Sequence, residues 1–598
     1  MPRFSVPGLR TAAIHVADGA ALPIAFAAQE LQRYLRTMTG ATVPISPAAS
    51  LRGRDALVLG QQAVPLPVSV EAGDGFVIHP EATNITLAAG SPRALLRAAY
   101  ALLEQLGCRW SLDAAREQVP WLSVPAVEID PTRHAPTFSV RGYCSDIMTW
   151  HYTQPEYLSE HLKEDRAFVD WMAKSGANTF FFIRHPFDTQ LTIPELLPDF
   201  ERRGIDVEYG GHVIPLLLPR EVYRNHPEYF PQSPDGARTD NGNLCTSSAG
   251  ALATASTNAV RYAHEHPEMR VVHIWGADLW RGGWCGCTAC AAVSVQDQGL
   301  RVCNAVARAL ADAGVTRPVC YLAYHDTIEP EITVRPERSV TVEFAPRERC
   351  YGHALNDPDC GTNRGYASAL ERYVDLFDGR VRLFEYYGDA ILFAGCAVPL
   401  AGVIAADVDY YKRLGVPEIT MLQFGAFSRW AYPLNFVTFA AALTGEVPET
   451  AGDHYCAQFR AEAAAARTLF AELEAIIGRV VTYGDIRRPP RSATAAAGVL
   501  DRLESALPRL GDVIRKCEAF DDPALAALVP LVRYTQLVFE GVRQELRQVL
   551  AGRPPHAELQ YAEALQVVEG VDPRWKGVWG SVDLPIINSF YNVAAVTT

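Results

Sequence analysis

Between residues 135 and 445 the chain alternates apolar, strand-like runs with helical stretches, and this rhythm limits the fold more than any other feature. The runs are FSVRGYC, ANTFFFIR, HVIPLLLP, RVVHIWGAD, PVCYLAYHD, SVTVEFAP, VRLFEYYGD and EITMLQFGA. Helical segments such as RAFVDWMAKSG, GLRVCNAVARALADAG and YASALERYVDLFDG separate most of them. Several runs are apolar at almost every position, as parallel strands covered on both faces must be. Eight strands over about 310 residues predict the α/β class and a (β/α)8 (TIM) barrel with enlarged loops. An open doubly wound sheet is the competitor, and the absence of a GxGxxG turn favours the barrel.

The flanking segments carry different patterns. Residues 1–134 read as an α/β sandwich-type domain: the runs ALVLG, GFVIHP and NITLAAG alternate with two amphipathic helices, PIAFAAQELQRYLRTMTG and SPRALLRAAYALLEQLG. Gly40 and Gly107 stand where helix stops are expected, and Ser91-Pro92 where a helix starts. Residues 446–598 carry long apolar stripes at helical spacing, which predicts a helical region packed on the barrel. The aromatic tail WKGVWGSVDLPIINSFYNVAAV is expected to dock on another part of the chain.

A net charge of −14 with no basic stripe argues against a nucleic-acid partner. The opening MPRFSVPGLRTAAIHVADG lacks a charged-then-apolar leader, and no apolar run has membrane-spanning length. A cytoplasmic protein without a membrane partner is expected, or a secreted one if a leader has been removed. Homo-oligomerisation is compatible with the sequence. The 13 cysteines form no dense disulfide pattern, so reduced thiols are expected.

In a barrel, chemistry sits where the strands end. The fourth run ends in Trp275 and Asp278, the fifth in Tyr324, His325 and Asp326. The sixth carries Glu343, then Arg347, Arg349 and His353, and the seventh ends in Glu385, Tyr386, Tyr387 and Asp389. The first offers Arg141 and Asp146, the third His212, and the eighth Gln423 and Trp430. No serine or cysteine sits in a nucleophile elbow. Glycoside cleavage needs two carboxyl groups flanking the bond, with aromatic faces and hydrogen-bonding side chains to hold the sugar. Asp278, Glu343 and Glu385 are therefore the catalytic candidates. Arg141, His212, Trp275, Tyr324, His325, Arg347, His353, Tyr386, Tyr387, Asp389, Gln423 and Trp430 are the candidates for binding a carbohydrate substrate. The plainer reading of a strand-end carboxylate is a helix cap or an arginine partner. Capping suits Asp326, and an ion pair with Arg347 or Arg382 suits Glu343.

Cys285, Cys287 and Cys290 follow the fourth run, with Cys245 some forty residues earlier. Three thiols within six residues and a fourth at a distance suit a closed, structural zinc site, which leaves no open position for a catalytic water. No cofactor is expected for catalysis itself. The plainer reading is reduced or disulfide-linked cysteines in a tight loop. Cys350 and Cys360 are either a disulfide or buried thiols, and Asp407 and Asp409 are expected on the polar face of a helix.

The segment AAQELQRYLRTMTGATVPI with GSPRALLRAAYALLEQLGCRW resembles the N-terminal domain that precedes the barrel in α-glucuronidases and β-hexosaminidases. The blocks LCTSS, Asp278 to CGCTAC, LAYHDTIEP, VTVEFAPRERCYGHALNDPDCGTN, LFEYYGDA and AADVDYYKRLGV resemble a bacterial family first labelled a domain of unknown function and since associated with glycoside hydrolase family 163. That resemblance spans residues 10–445. It implies a β-N-acetylglucosaminidase with a retaining mechanism, in which one carboxylic acid protonates the leaving oxygen and a second carboxylate orients the substrate acetamide. Asp278 matches the family's fourth-strand block. Glu385 stands where relatives vary, which moves weight to Glu343 and the Arg347 to His353 block. An enzyme trimming imported oligosaccharides fits a chain without a leader. An inverting uronidase and a non-catalytic carbohydrate-binding protein are the competing readings.

Overall fold

A computed structural model of the chain describes residues 3–47, 56–61, 73–81, 84–124, 126–145, 158–183, 194–279, 282–390, 392–478, 480, 490–553 and 567. Asp146 and the aromatic C-terminal tail lie outside the described residues. The expected barrel is present. Strands Val140–Ser145, Thr179–Ile183, Asp206–Gly210, Val272–Ile274, Val319–Ala323, Val340–Phe344, Val381–Gly388 and Glu418–Gln423 pair in parallel, in sequence order. The eighth closes on the first, with Glu418 opposite Val140.

One strand differs from the expectation. The third is Asp206–Gly210, whereas the apolar run HVIPLLLP forms a turn and the short helix Ile214–Leu217. Two prolines in that run make it a poor inner strand. The true strand is disguised because Glu208 faces the barrel interior.

Successive side chains alternate between the interior and the surrounding helices, and the inward set forms layers. The lower layer is ionic: His273 Nε2 lies 3.0 Å from Glu208, His273 Nδ1 3.2 Å from Glu343, and Arg382 Nη2 2.6 Å from Glu208. Arg382 also reaches Glu343 at 3.8 Å and Glu418 at 2.7 Å. Burial raises the cost of charge on Glu208, yet Arg382 and then His273 outweigh it and hold the carboxyl down at about 2. Burial likewise opposes charge on His273, but Cys320, Glu343 and the bond to Glu208 lift it well above the ordinary histidine value. Glu343, expected as a catalytic group, is thus a fully buried member of this network. Two residues further along the strands, Phe181, Trp275 and Phe384 form an aromatic layer, with ring centroids 5.3 Å (Phe181–Trp275) and 5.6 Å (Trp275–Phe384) apart. That layer separates Glu343 from the mouth.

The N-terminal segment folds as a six-stranded mixed sheet, ordered Ile45–Pro47, Ala13–Val16, Ala56–Gln61, Asn84–Ala89, Phe76–Pro80, Thr132–His134, with helices Leu22–Thr39 and Pro92–Gln105. Gly40 ends the first helix in the left-handed region (φ 75°), and Ser91 caps the second through Ala94 N–H at 3.2 Å. The domain is tied to the foot of the barrel by Asp74, whose carboxylate accepts from Arg93 (2.7 Å), Arg141 (2.7 Å) and Asn178 (2.9 Å). Arg141, expected to bind substrate, belongs to this tie: it starts the first strand, at the end opposite the mouth, and faces outward.

Helices Pro448–Ala457, Ala463–Ile477, Ala493–Glu518 and Leu528–Leu550 follow the barrel. Arg116 of the N-terminal domain grips Asp522 with two bonds of 2.9 Å. Thr535 Oγ1 accepts from Ala397 N–H at 2.9 Å, which anchors the last helix to the segment after the seventh strand. Contrary to the expectation that no apolar run has membrane-spanning length, an 18-residue stretch within Pro523–Leu550 is apolar enough to cross a membrane (mean hydropathy 1.3), and half of that stretch is buried inside the protein.

Replacing Arg382 by Met removes the cation that serves Glu208, Glu343 and Glu418 at once. Loss of one partner from a buried ion network costs about 3–5 kcal/mol. The denaturant midpoint of Arg382→Met should fall accordingly; an unchanged midpoint contradicts this account of the interior.

Candidate active site

Above the aromatic layer, the inward-facing and strand-end side chains converge around Tyr324. Its half-buried ring lies within the electrostatic reach of Arg347, Asp278, Glu348 and Asp389, in that order of strength. Burial dominates and pushes the phenol well above the ordinary tyrosine value, and it does the same to Tyr386. Both stay neutral O–H donors throughout the working pH range. Tyr386 carries the Arg347 guanidinium 5.8 Å above its ring, and Arg347 Nε donates to Asp389 at 3.0 Å. The other oxygen of Asp389 accepts from Leu392 N–H at 2.8 Å, so this carboxylate is fixed and spoken for.

Asp278 is the open carboxylate of the group, with 57% of its side chain exposed. His212 faces it, Nε2 to Oδ1, at 4.0 Å, while Nδ1 lies 2.5 Å from the Gly276 carbonyl. Only a protonated Nδ1 can donate to a carbonyl, so Nδ1 is engaged by Gly276 and Nε2 is the ring nitrogen turned toward Asp278. The His212 ring also packs edge-on against Trp275 at 5.3 Å. Trp275 Nε1 is a buried donor without a partner among the described residues.

Two residues past the fifth strand, His325 has a left-handed backbone (φ 47°). That conformation costs a residue with a side chain roughly 1 kcal/mol. A tilted ring contact with Tyr324 (centroids 3.6 Å) and the approach of Nδ1 to Glu348 (2.7 Å) hold it there. A cavity of about 640 Å3, counted with the solvent at its entrance, opens beside this cluster. His212, Tyr324, His325 and Asp326 line its mouth side; Ile274, Tyr321 and Val302 form its floor toward helix Val295–Asp312. Asn243 and Trp284 close its outer wall.

The structure therefore brings Asp278, His212, Trp275, Tyr324, His325, Arg347, Tyr386 and Asp389 together, as expected. Glu348, Asn243 and Trp284 join them and were not anticipated. Glu348 stands between Arg347 and Arg349 just past the sixth strand, and an alternating charged triplet at that place was the available signal.

Several candidates fall elsewhere. Glu385 and Tyr387 point away from the barrel interior, because they have the opposite parity to Tyr386. Glu385 accepts from Tyr411 and faces Arg349 at 3.5 Å, while Tyr387 donates to Asp407 at 2.9 Å. Asp407, expected on a polar helix face, is fully buried and pairs with Arg349; Asp409 is exposed, as expected. Gln423 also faces outward and accepts from Arg429 at 3.5 Å, and Arg429 in turn pairs with Asp165 at 3.0 Å. His353 lies against Cys350 (Nδ1–Sγ 3.2 Å) near the start of helix Gly361–Leu376, where Cys350 and Cys360 are both free thiols. Trp430 packs on Phe427 at 5.9 Å in the helix after the eighth strand.

The buried Glu385 titrates unusually. Burial and the nearby Asp407 push its carboxyl up to about 7 against the pull of Arg349. Between an ordinary unfolded value of 4.5 and about 7 the folded protein holds a proton that the unfolded chain has released. The resulting stabilisation is complete below the unfolded value and is lost as pH rises through the folded one. Wild type should thus lose stability relative to Glu385→Gln between pH 4.5 and 8, by at most roughly 3 kcal/mol. Parallel melting curves for the two proteins across that range contradict the buried, protonated Glu385.

The sequence profile of a family described as a domain of unknown function, DUF4838, matches residues 127–438, just over half the chain. No curated protein matches the chain in sequence. Among solved structures, a GH115 4-O-methyl-α-glucuronidase with specificity for decorated arabinogalactans is similar with a TM-score of 0.61 and 11% identity, covering 100% of this chain and 80% of its own. A GH138 enzyme targeting pectin rhamnogalacturonan II is similar with a TM-score of 0.56 and 9% identity, covering 96% of this chain and 74% of its own. The structure titled CpGH84B aligns with a TM-score of 0.50 and 10% identity, over 99% of this chain and 97% of its own. These likenesses establish the fold: a TIM barrel between an α/β domain and a helical region, as in known glycoside hydrolases.

Proposed function

The chain belongs to the DUF4838 family, and we propose that it is a glycoside hydrolase that uses Asp278 and Glu348 as its two working carboxyl groups. The observation that carries this reading is that Asp278 and Glu348 both lie within electrostatic reach of Tyr324, beside Trp275, Tyr386 and two histidines, with Asp278 4.0 Å from His212 and Glu348 2.7 Å from His325. Asp278 is open to solvent, so an entering substrate can bring its leaving oxygen within hydrogen-bond reach of this carboxyl group. Glu348 lies 2.7 Å from His325 Nδ1, a contact that would orient it toward a substrate group or for attack. The aromatic faces offer contact to the C–H surfaces of a sugar ring, and the tyrosine O–H groups and Trp275 N–H offer donors for its hydroxyls.

The mouth favours a neutral sugar. Among the described residues Asp278, Asp326, Glu348 and Asp389 outnumber Arg347, whose charge Asp389 already engages. An anionic uronide entering there meets net repulsion. This supports a β-linked N-acetylglucosaminide, the substrate class implied by the resemblance to glycoside hydrolase family 163, with retention through the substrate's acetamide. The fold likeness to a glucuronidase keeps the uronide as the second substrate to test.

Turnover on aryl β-N-acetylglucosaminides and on N-glycan oligosaccharides, beside aryl glucuronides, tests the reading. Asp278→Asn and Glu348→Gln should each lower kcat about 10²–10⁴-fold, whereas Glu385→Gln should stay near wild type. Activity indifferent to both mouth variants sinks the assignment. Cleavage of glucuronides alone transfers it to a uronidase, and no cleavage with measurable sugar binding transfers it to a binding protein.

A further inference from the structure

Cys245 and the Cys285, Cys287, Cys290 group come from segments forty residues apart, yet their four sulfurs all lie within 4.8 Å of one another. Cys245 Sγ stands 3.8 Å from Cys287 Sγ and 3.9 Å from Cys290 Sγ, and all four cysteines are free. These separations are too long for disulfides, whose sulfurs are about 2.05 Å apart. They match a tetrahedron around zinc, where Zn–S bonds of about 2.3 Å put the sulfurs about 3.8 Å from each other. A cubane iron–sulfur cluster takes one thiolate on each iron and spreads them much wider.

The surroundings suit thiolates. Ser247 Oγ lies 3.2 Å from Cys245 and 3.3 Å from Cys287, Thr246 Oγ1 lies 3.5 Å from Cys290, and Gln232 N–H donates to Cys285 at 3.5 Å. The Arg238 guanidinium is within electrostatic reach of Cys245, Cys285 and Cys287. Four thiolates around a divalent ion leave a net charge of −2, which one cation and a ring of N–H and O–H donors offset.

We propose that Cys245, Cys285, Cys287 and Cys290 hold one structural zinc ion, which displaces the thiol protons to solvent and braces one wall of the candidate active site. The bracing follows the chain. Two residues before Cys245, Asn243 donates its N–H to Gly283 O (2.8 Å) and accepts from Ala277 N–H at 2.8 Å, next to Asp278. Trp284, immediately before Cys285, lines the cavity. On the other side Gln298 of helix Val295–Asp312 accepts from Cys285 N–H at 3.1 Å and donates to Cys285 O and Cys290 O, both at 3.2 Å. With four sulfurs and three of the cysteines buried, the site is closed and has no place for a reacting water.

Elemental analysis and native mass spectrometry of the full chain, purified without chelator, should find one zinc per chain. Exchange for cobalt(II) should give the visible bands and the near-ultraviolet sulfur-to-metal charge transfer of a tetrahedral tetrathiolate site. Cys287→Ser, which changes the most accessible ligand, should retain less zinc and be cut faster by protease between residues 276 and 290. If that variant does not fold, the wild-type zinc count and cobalt spectrum still decide. Less than about 0.2 zinc per chain overturns the proposal, as does a disulfide between any two of the four, or iron with acid-labile sulfide in place of zinc. None of these readouts depends on glycoside turnover, so the site stands or falls separately from the proposed function.

Discussion

The ion network of Glu208, His273, Glu343 and Arg382 is the constraint on which the rest of the barrel depends. Four charged side chains from the third, fourth, sixth and seventh strands meet in the closed interior, where water cannot serve them. Burying charge is expensive, so such a network adds little net stability over an apolar filling, while losing one member is severe. Its larger effect is on register. A one-residue slip of any of these strands turns a charged side chain into the helical layer and an aliphatic one into the network. The same register sets which residues stand one layer higher, and therefore which residues reach the mouth.

Parity does the rest. On the seventh strand Arg382, Phe384 and Tyr386 face the axis, in the ionic, aromatic and mouth layers respectively. Glu385 and Tyr387, one residue off, face the helix Ala401–Arg413 and form a second buried network with Arg349, Asp407 and Tyr411. The chain repeats the device beyond the sixth strand: Arg347 and Glu348 serve the mouth, whereas Arg349 is buried in the wall. One short segment thus supplies both the site and the charge that holds the neighbouring helix. That is why charged residues crowd these strand ends far beyond what any single reaction needs.

Much of this was legible in the amino-acid order and some of it could not be. Seven of the eight strands announce themselves, several by being apolar almost throughout, as parallel strands buried on both faces are, and the others by their place in the strand–helix rhythm. The third does not: Glu208 serves the interior network and interrupts the pattern, so the neighbouring HVIPLLLP looks more strand-like than DVEYG. The candidate site was legible as a set of strand ends, which is how Asp278, His212, Tyr324, Arg347, Tyr386 and Asp389 were found. Position alone does not reveal direction. Glu385, Tyr387 and Gln423 sit at the right height on the wrong face, and Arg141 sits at the wrong end of its strand. Glu343 was ambiguous because its ion pair with Arg382 joins residues far apart in sequence. Glu348 was passed over between two arginines whose charges were easier to interpret.

The two halves of the mouth are held by unlike means, and this bears on what each can do. On the side of the sixth and seventh strands, Arg347, Asp389 and Leu392 N–H fix one another through a chain of charged and backbone hydrogen bonds. A charge pair fixed in this way keeps its place at the mouth without help from a loop. On the side of the fourth strand only three residues, Val272–Ile274, are in the sheet, and the chain then leaves as a long loop carrying Asp278. A loop of that length holds a carboxylate in place only if something outside the sheet restrains it. Asn243, bonded at Ala277 and Gly283, and Gln298, bonded at Cys285 and Cys290 where the four cysteines gather, supply that restraint. The carboxylate of Asp278 can then stay exposed while its backbone keeps its place beside His212 and Asn243.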